Sequence, residues 1–289
     1  MFLNQVRILF HARNLRFGLI VIGMFATFTS GAQNSWRSLA PGLDLGTFVA
    51  GRRAPTGDSR VTILRIDPNL WDLRFVGLSQ SGESGGRTAK QWCHKLGLTA
   101  AINAGMFDTD FKTHVGYLSS RGHVYNGHIN SYNSMALFDP FPGGKLPRFH
   151  IVDLDEKDVA MADVLKDYAS AVQNLRLIKR PGSNRWRQTG RRWSEAALGE
   201  DTQGRILFIF SRSPFTMHDL NQELLSMGIG LVAAQHLEGG PEAQFYLNIG
   251  DEELELFGSY ETSFREDDTN ATPWPIPNVL GIQRRIGNP

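Results

Sequence analysis

The sequence predicts an α+β fold: one domain with a mixed β-sheet core and a few packed helices. Three observations predict it. Apolar runs of four to eight residues bounded by Gly, Pro, Asn or Asp recur along the chain, as buried strands do. Only three stretches have helical spacing. Neither a linker nor an internal repeat divides residues 60–289, which are numerous enough for one full core.

Val61 to Ile66 alternates as a strand, and Trp71 to Leu78 follows the Asp67-Pro68-Asn69 turn. A polar, Gly-rich loop over 79–86 leads to a helix at 88–96, with Thr88 as its N-cap. Leu98 to Asn103 is a buried strand. Gly116 to Leu118 and His123 to Tyr125 form a hairpin around Arg121-Gly122, and Met135 to Phe138 and Phe149 to Leu154 are strands. A helix over 159–169 precedes a strand from Ala171 to Ile178, and Pro181 to Trp193 reads as a basic loop. Arg205 to Ser211 is a strand, and 218–227 is a helix capped by Thr216. Ile229 to Leu237, Phe245 to Ile249 and Val279 to Ile282 complete the sheet, with an irregular, Pro-containing segment over 260–277. That segment is either a pocket wall or a cover for a sheet edge.

The first 32 residues stand outside this fold. Arg7, Arg13 and Arg16 precede a short apolar stretch, Phe17 to Phe28, which ends at Ser30-Gly31-Ala32. That is the layout of a secretory signal peptide cleaved after Ala32, and the stretch is short for a membrane span. An uncleaved N-terminal anchor is the alternative. Residues 33–59 form an N-terminal extension. The protein is then exported, periplasmic or secreted, with no stable membrane span after processing.

Loss of those three Arg takes the formal charge from +1 to −2. A near-neutral chain lacks the electrostatic footprint of a nucleic-acid binder. The single cysteine, Cys93, rules out an internal disulfide and reads as a buried thiol. No cofactor is expected. Asp108, Asp110 and His114 are loosely spaced like metal ligands, but no signature of the His-Glu-x-x-His kind occurs, so no metal site is assigned.

Two strand ends carry chemistry. The apolar run Ile229 to Ala234 leads to Leu237-Glu238-Gly239-Gly240-Pro241, which sets a carboxylate at a sheet end beside backbone that a ligand can approach closely. Ala101 to Phe107 has the same build and delivers Asn103, Gly105 and Phe107, with Asp108 next. Asn133, Gln173, Asn174 and Arg212 lie on other strands or strand ends. Amides and carboxylates bind sugar hydroxyls, and Arg forks onto phosphate oxygens. The set therefore suits a carbohydrate or sugar phosphate.

Taken in order, Asn103 to Phe107, Gly116, Tyr132-Asn133-Ser134, Ala171 to Asn174, Ala196 to Gly199, Arg205 to Ser211 and Leu237 to Pro241 resemble the phosphodiester glycosidase domain. The resemblance covers roughly residues 60–283 and implies a mixed α/β fold that hydrolyses a sugar phosphodiester. Two positions depart from the family pattern. Glu238 stands where Asp is frequent, and Glu195 stands where an Arg is usual, with Arg191 and Arg192 just upstream. On this basis Glu238 is expected to be the reacting carboxylate, with Asp108 as a second candidate, and Arg192 the phosphate clamp, with Arg212 in reserve. Asn103, Gly105, Phe107, Asn133, Gln173, Gly239 and Gly240 are expected to bind substrate, Phe107 and Trp193 by stacking. A non-catalytic glycan-binding envelope protein is the competing function.

Overall fold

A computed structural model describes residues 35–78, 85–143 and 145–285. The signal peptide expected over residues 1–32 lies outside them. The described chain is mostly strand, with three α-helices. Three antiparallel sheets enclose one core.

The largest sheet has eight strands in the order β1-β2-β3-β14-β13-β15-β11-β12. These are Ser35–Ala40, Leu43–Val49, Arg60–Ile66, Ile206–Phe215, Trp193–Asp201, Leu231–Gly239, Arg176–Lys179 and Ser183–Asn184. A second sheet has the order β7-β6-β10-β8-β9, namely His123–Asn126, Leu118–Ser120, Tyr168–Asn174, Ser134–Pro140 and Phe149–Asp153. The third has the order β17-β16-β5-β18-β4: Glu252–Phe257, Gln244–Ile249, Ala100–Asn103, Asn278–Arg284 and Trp71–Gly77. Every pairing between these strands is antiparallel. The expected mixed sheet is corrected on this point. Too few helices lie between the strands to supply the crossovers that parallel pairing requires.

The period-2 alternation of strands explains the layering. In β14, Ile206, Phe208 and Phe210 face the central core, while Leu207 and Ile209 face outward. Inward residues of all three sheets, among them Leu64, Phe208, Ile102, Phe245, Phe138 and Val172, form that core. Each outer face is covered by one helix. Helix α1 (Ala89–Leu96) buries Trp92 and Cys93 on the third sheet. Helix α2 (Met161–Asp167) lays Met161, Val164 and Leu165 on the second. Helix α3 (Met217–Ser226) buries Leu220 and Leu224 on the first.

The caps follow the expected chemistry. Thr88 accepts from the Gln91 amide in a reciprocal capping box, and Gly97 closes α1 in the left-handed region. Thr216 accepts from the Asp219 amide at the start of α3. Residues 35–49, expected as part of an extension, supply β1 and β2 and pair along β3.

Candidate active site

Strand β13 lies between β14 and β15, and its first half builds the site. At its end Glu195 pairs with Gly239 and Ala196 with Glu238, with a bulge between Ala196 and Ala197 that re-aims the end of β15. Past the bulge, Gly239, Gly240 and Pro241 make a tight turn. Gly240 has φ +61, a conformation glycine takes without strain. A Cβ on Gly239 would stand 2.7 Å from the Trp193 indole, so the strand end passes directly beside that ring.

Asn103 joins the two glycine-bounded motifs. Its Nδ2 donates to the Glu242 carbonyl at 3.0 Å, and its Oδ1 accepts from the Gln244 amide at 2.6 Å. The end of β5 is thereby locked to the turn after Glu238. Asn103 holds that turn, and both of its polar atoms are used in doing so.

Glu238 is buried. The one hydrogen bond of its side chain among the described residues is accepted from its own neighbour, the Gly239 amide, at 3.0 Å. Burial pushes its carboxyl up to about 8, and the charges of Glu242 and Glu195 push the same way against His236. Glu242 is also raised, by burial and then by Glu261. Burial and the Glu238 charge together raise the Tyr132 phenol, which marks Tyr132 as a neighbour of Glu238.

His236 and Glu195 form a buried pair beside this carboxylate. The imidazole Nδ1 lies 2.8 Å and 2.9 Å from the two Glu195 oxygens, and Trp193 Nε1 donates to Oε2 at 2.7 Å. Burial disfavours the imidazolium, but the charge and hydrogen bond of Glu195 outweigh it and raise the His236 pKa. Sequence reading missed His236, because the motif was read from Leu237 onward. It also treated Glu195 only as a departure from a family pattern. The signal available was a His two residues before a carboxylate on one buried strand.

The segment after β17 closes one side. Ser194 N donates to the Tyr260 carbonyl at 2.9 Å and Thr262 N to the Arg192 carbonyl at 2.9 Å. Glu261 is thereby set against Gly240, where a Cβ would meet its Oε2 at 2.7 Å. Of the two expectations for 260–277, pocket wall or edge cover, the first half of the segment fits the wall.

The other expected residues divide. Gln173 is fully buried and spends both ends on backbone: Oε1 accepts from the amides of Tyr117 and Asn130, and Nε2 donates to the carbonyls of Asn130 and Tyr132. It shapes the loop that carries Tyr132. Gly105, at φ +151, fits only because it lacks a Cβ, which would stand 2.2 Å from Asn174 Oδ1. Asp108 is exposed and accepts from the Thr109 amide, as a turn residue does. Phe107 is half-buried with its ring centre 5.6 Å from that of Phe111. Arg212 is committed elsewhere, to Asp268 Oδ1 at 2.7 Å and to the carbonyls of Phe257 and Asn270. The Arg192 guanidinium joins no ion pair among the described residues, and Asn133 is exposed at the rim of a neighbouring cleft. Among the described residues no cluster of three His, Cys, Asp or Glu side chains is arranged to hold a metal.

An antiparallel sheet enclosure thus carries a buried carboxylate at a bulged strand end. The sequence pattern of the phosphodiester glycosidase family matches residues 96–283, and the chain belongs to that family. Its fold is similar to the catalytic domain of zebrafish N-acetylglucosamine-1-phosphodiester alpha-N-acetylglucosaminidase, solved auto-inhibited by its pro-peptide. The TM-score is 0.60 at 16% identity, over 86% of each chain. A hypothetical protein from Synechocystis is similar at TM-score 0.58 and 14% identity, over 85% of this chain and 62% of that one. No curated protein sequence matches the chain.

Proposed function

We propose that the chain is an exported hydrolase that cleaves a sugar phosphodiester, or a related glycosidic bond, within a glycan. The observation that carries this reading is Glu238: a buried carboxyl with no cation hydrogen-bonded to it, held at the strand end where the family's motifs meet. Buried carboxyls are costly unless used. With its pKa pushed up to about 8, Glu238 holds a proton at neutral pH. This shifts its role from the carboxylate that attacks or delivers water to the acid that protonates the departing oxygen.

Two carboxyl groups suffice for such a hydrolysis. The bond from sugar C1 to the leaving oxygen breaks, and Glu238 gives its proton to that oxygen. Water forms the new bond to C1 and passes a proton to Glu242, the second carboxylate in charge range of Glu238. Asn103 fixes the turn that carries Glu242. Arg192 is assigned to the phosphate charge, and Trp193 and Phe107 to the sugar faces.

The test is a screen of the mature protein against sugar 1-phosphodiesters and aryl glycosides, with Glu238→Gln alongside. Turnover by the wild type, lost in Glu238→Gln while binding remains, is expected. Binding without release of sugar or phosphate in the wild type supports the glycan-binding alternative.

A further inference from the structure

Residues 106–115 fold back on themselves after the Asn103 motif. Asp108 N donates to the Thr113 carbonyl at 2.8 Å and Val115 N to the Met106 carbonyl at 3.0 Å, with a bridge between Phe107 and His114. The returning arm of this hairpin lines a small cavity of about 60 Å³. Phe75, Leu78 and Leu118 give the cavity apolar walls, and Lys112 and Thr113, both exposed, border it from the hairpin.

Three polar side chains line the same cavity. Each has a buried atom without a hydrogen-bond partner among the described residues: His114 Nδ1, Tyr125 Oη and Asn278 Oδ1. Burying one such atom alone is costly, and native structures seldom do it. Three on one cavity point to a partner that they share.

The positions of the three are set by their neighbours. His114 Nε2 lies 3.0 Å from the Gln173 carbonyl, which can only accept. Nε2 therefore carries the proton, and Nδ1 is left as a lone pair. Burial holds the His114 pKa down at about 4, so the ring is neutral at pH 7. A Cβ on Gly105 would stand 2.3 Å from His114 Cε1, so the ring packs against the motif loop. The Tyr125 ring is edge-on to Phe75 at 4.5 Å and to His123 at 4.4 Å. Burial pushes its phenol up to about 12, and it keeps its proton. Asn278 opens β18 opposite Gly77, one residue before the Val279 that pairs with Asn103.

The chemistry of this set selects its ligand. Nδ1 and Oδ1 accept, and the Tyr125 hydroxyl can donate. An anion would face two lone pairs. A metal cation would find one nitrogen and neutral oxygens, no carboxylate, and the charge of Lys112 beside it. A neutral molecule with two donor hydrogens and a lone pair satisfies all three atoms, and water is the smallest that does. The cavity has room for about four water molecules.

We propose that the cavity is an internal hydration site, where water donates to His114 Nδ1 and Asn278 Oδ1 and accepts from Tyr125, joining the 106–115 hairpin to β7 and β18. The joint fixes the loop that carries Gly105 and Phe107, whatever reaction that loop serves.

A crystal structure of the mature protein that shows ordered water tests the site. Water within hydrogen-bond distance of at least two of the three atoms is expected, and water on fewer than two overturns the proposal. Nitrogen NMR at pH 7 is expected to find His114 protonated on Nε2. Protonation on Nδ1 removes the acceptor and overturns it as well. Tyr125→Phe and Asn278→Leu, neither of them assigned to catalysis or substrate, read what the water does. Each is expected to speed amide exchange at Asp108 and Val115 about tenfold or more, while Ile102 in β5 keeps its rate. Unchanged exchange at those two amides in either variant refutes the joint.

Discussion

His236 Nδ1 lies within 2.9 Å of both carboxylate oxygens of Glu195, and both residues are buried on adjacent strands. A buried pair of this kind is costly to break from one side, because the remaining charge loses its partner. In Glu195→Gln the shape is kept and the charge is lost. The His236 pKa is then expected to fall, since burial is opposed only by the more weakly acting charges of Glu238 and Glu261. Histidine NMR titration checks this. In the wild type, His236 contributes stability that is present below its unfolded value of 6.5 and is lost as pH rises through its higher folded value. The variant loses that contribution, and at neutral pH a loss of roughly 3 to 5 kcal/mol is expected in urea unfolding.

Glu238 gives the second pH dependence. Its folded pKa of about 8 lies above the ordinary 4.5, so the native state binds a proton that the unfolded chain has released. Stability is expected to fall as pH rises from about 4.5 to 8, and to fall no further from this group above that. Glu238→Gln removes the titrating group. The variant is expected to be inactive and, at pH 8 to 9, more stable than the wild type. Urea unfolding at pH 5 and pH 9 separates the two proteins: an equal loss in both removes Glu238 as the source.

These two residues also show what the sequence made legible. Glu238 was visible because an apolar run ended in Gly-Gly-Pro, a local signal. The strand opposite it was not. Trp193–Asp201 reads Trp-Ser-Glu-Ala-Ala-Leu-Gly-Glu-Asp, a poor strand by propensity, yet it is the centre of an eight-stranded sheet. Two of its acids tolerate burial because partners arrive from distant positions, His236 for Glu195 and His150, Arg180 and the Ile151 amide for Glu200, while Asp201 is met by the nearby Arg205. No local pattern announces such partners. The strand expected over 171–178 is split for a similar reason. Its two halves, β10 and β11, pair in different sheets on either side of Leu175. β17 was missed although Glu253 to Leu256 alternates acid and leucine, the pattern of an edge strand.

Asn103 connects the two motifs, so its loss is expected to act on the turn rather than on substrate contact. Asn103→Ala leaves the Gln244 amide and the Glu242 carbonyl without their partners inside the protein. A cost of about 1 to 3 kcal/mol is expected. A loosened Glu242 also predicts a drop in kcat larger than the rise in KM. The reverse pattern, a raised KM at unchanged kcat, is what a direct sugar contact produces.

Arg212 makes the last prediction. It was a reserve phosphate ligand in the sequence, but its guanidinium is filled by Asp268 Oδ1 and the carbonyls of Phe257, Asp268 and Asn270. It ties down the segment that sets Glu261 against Gly240. Gly258 in that segment is equally constrained, since a Cβ there would meet the Gly240 carbonyl oxygen at 2.0 Å. Arg212→Ala is expected to free residues 257–270, with hydrogen exchange there accelerating while β13 and β14 stay protected. Gly258→Ala is expected to do the same by pushing the segment off the turn. Because both variants act on one wall, their effects on turnover are expected to be similar and less than additive when combined. If Arg212 instead bound phosphate, its loss would raise KM selectively for anionic substrates and leave exchange at 257–270 unchanged.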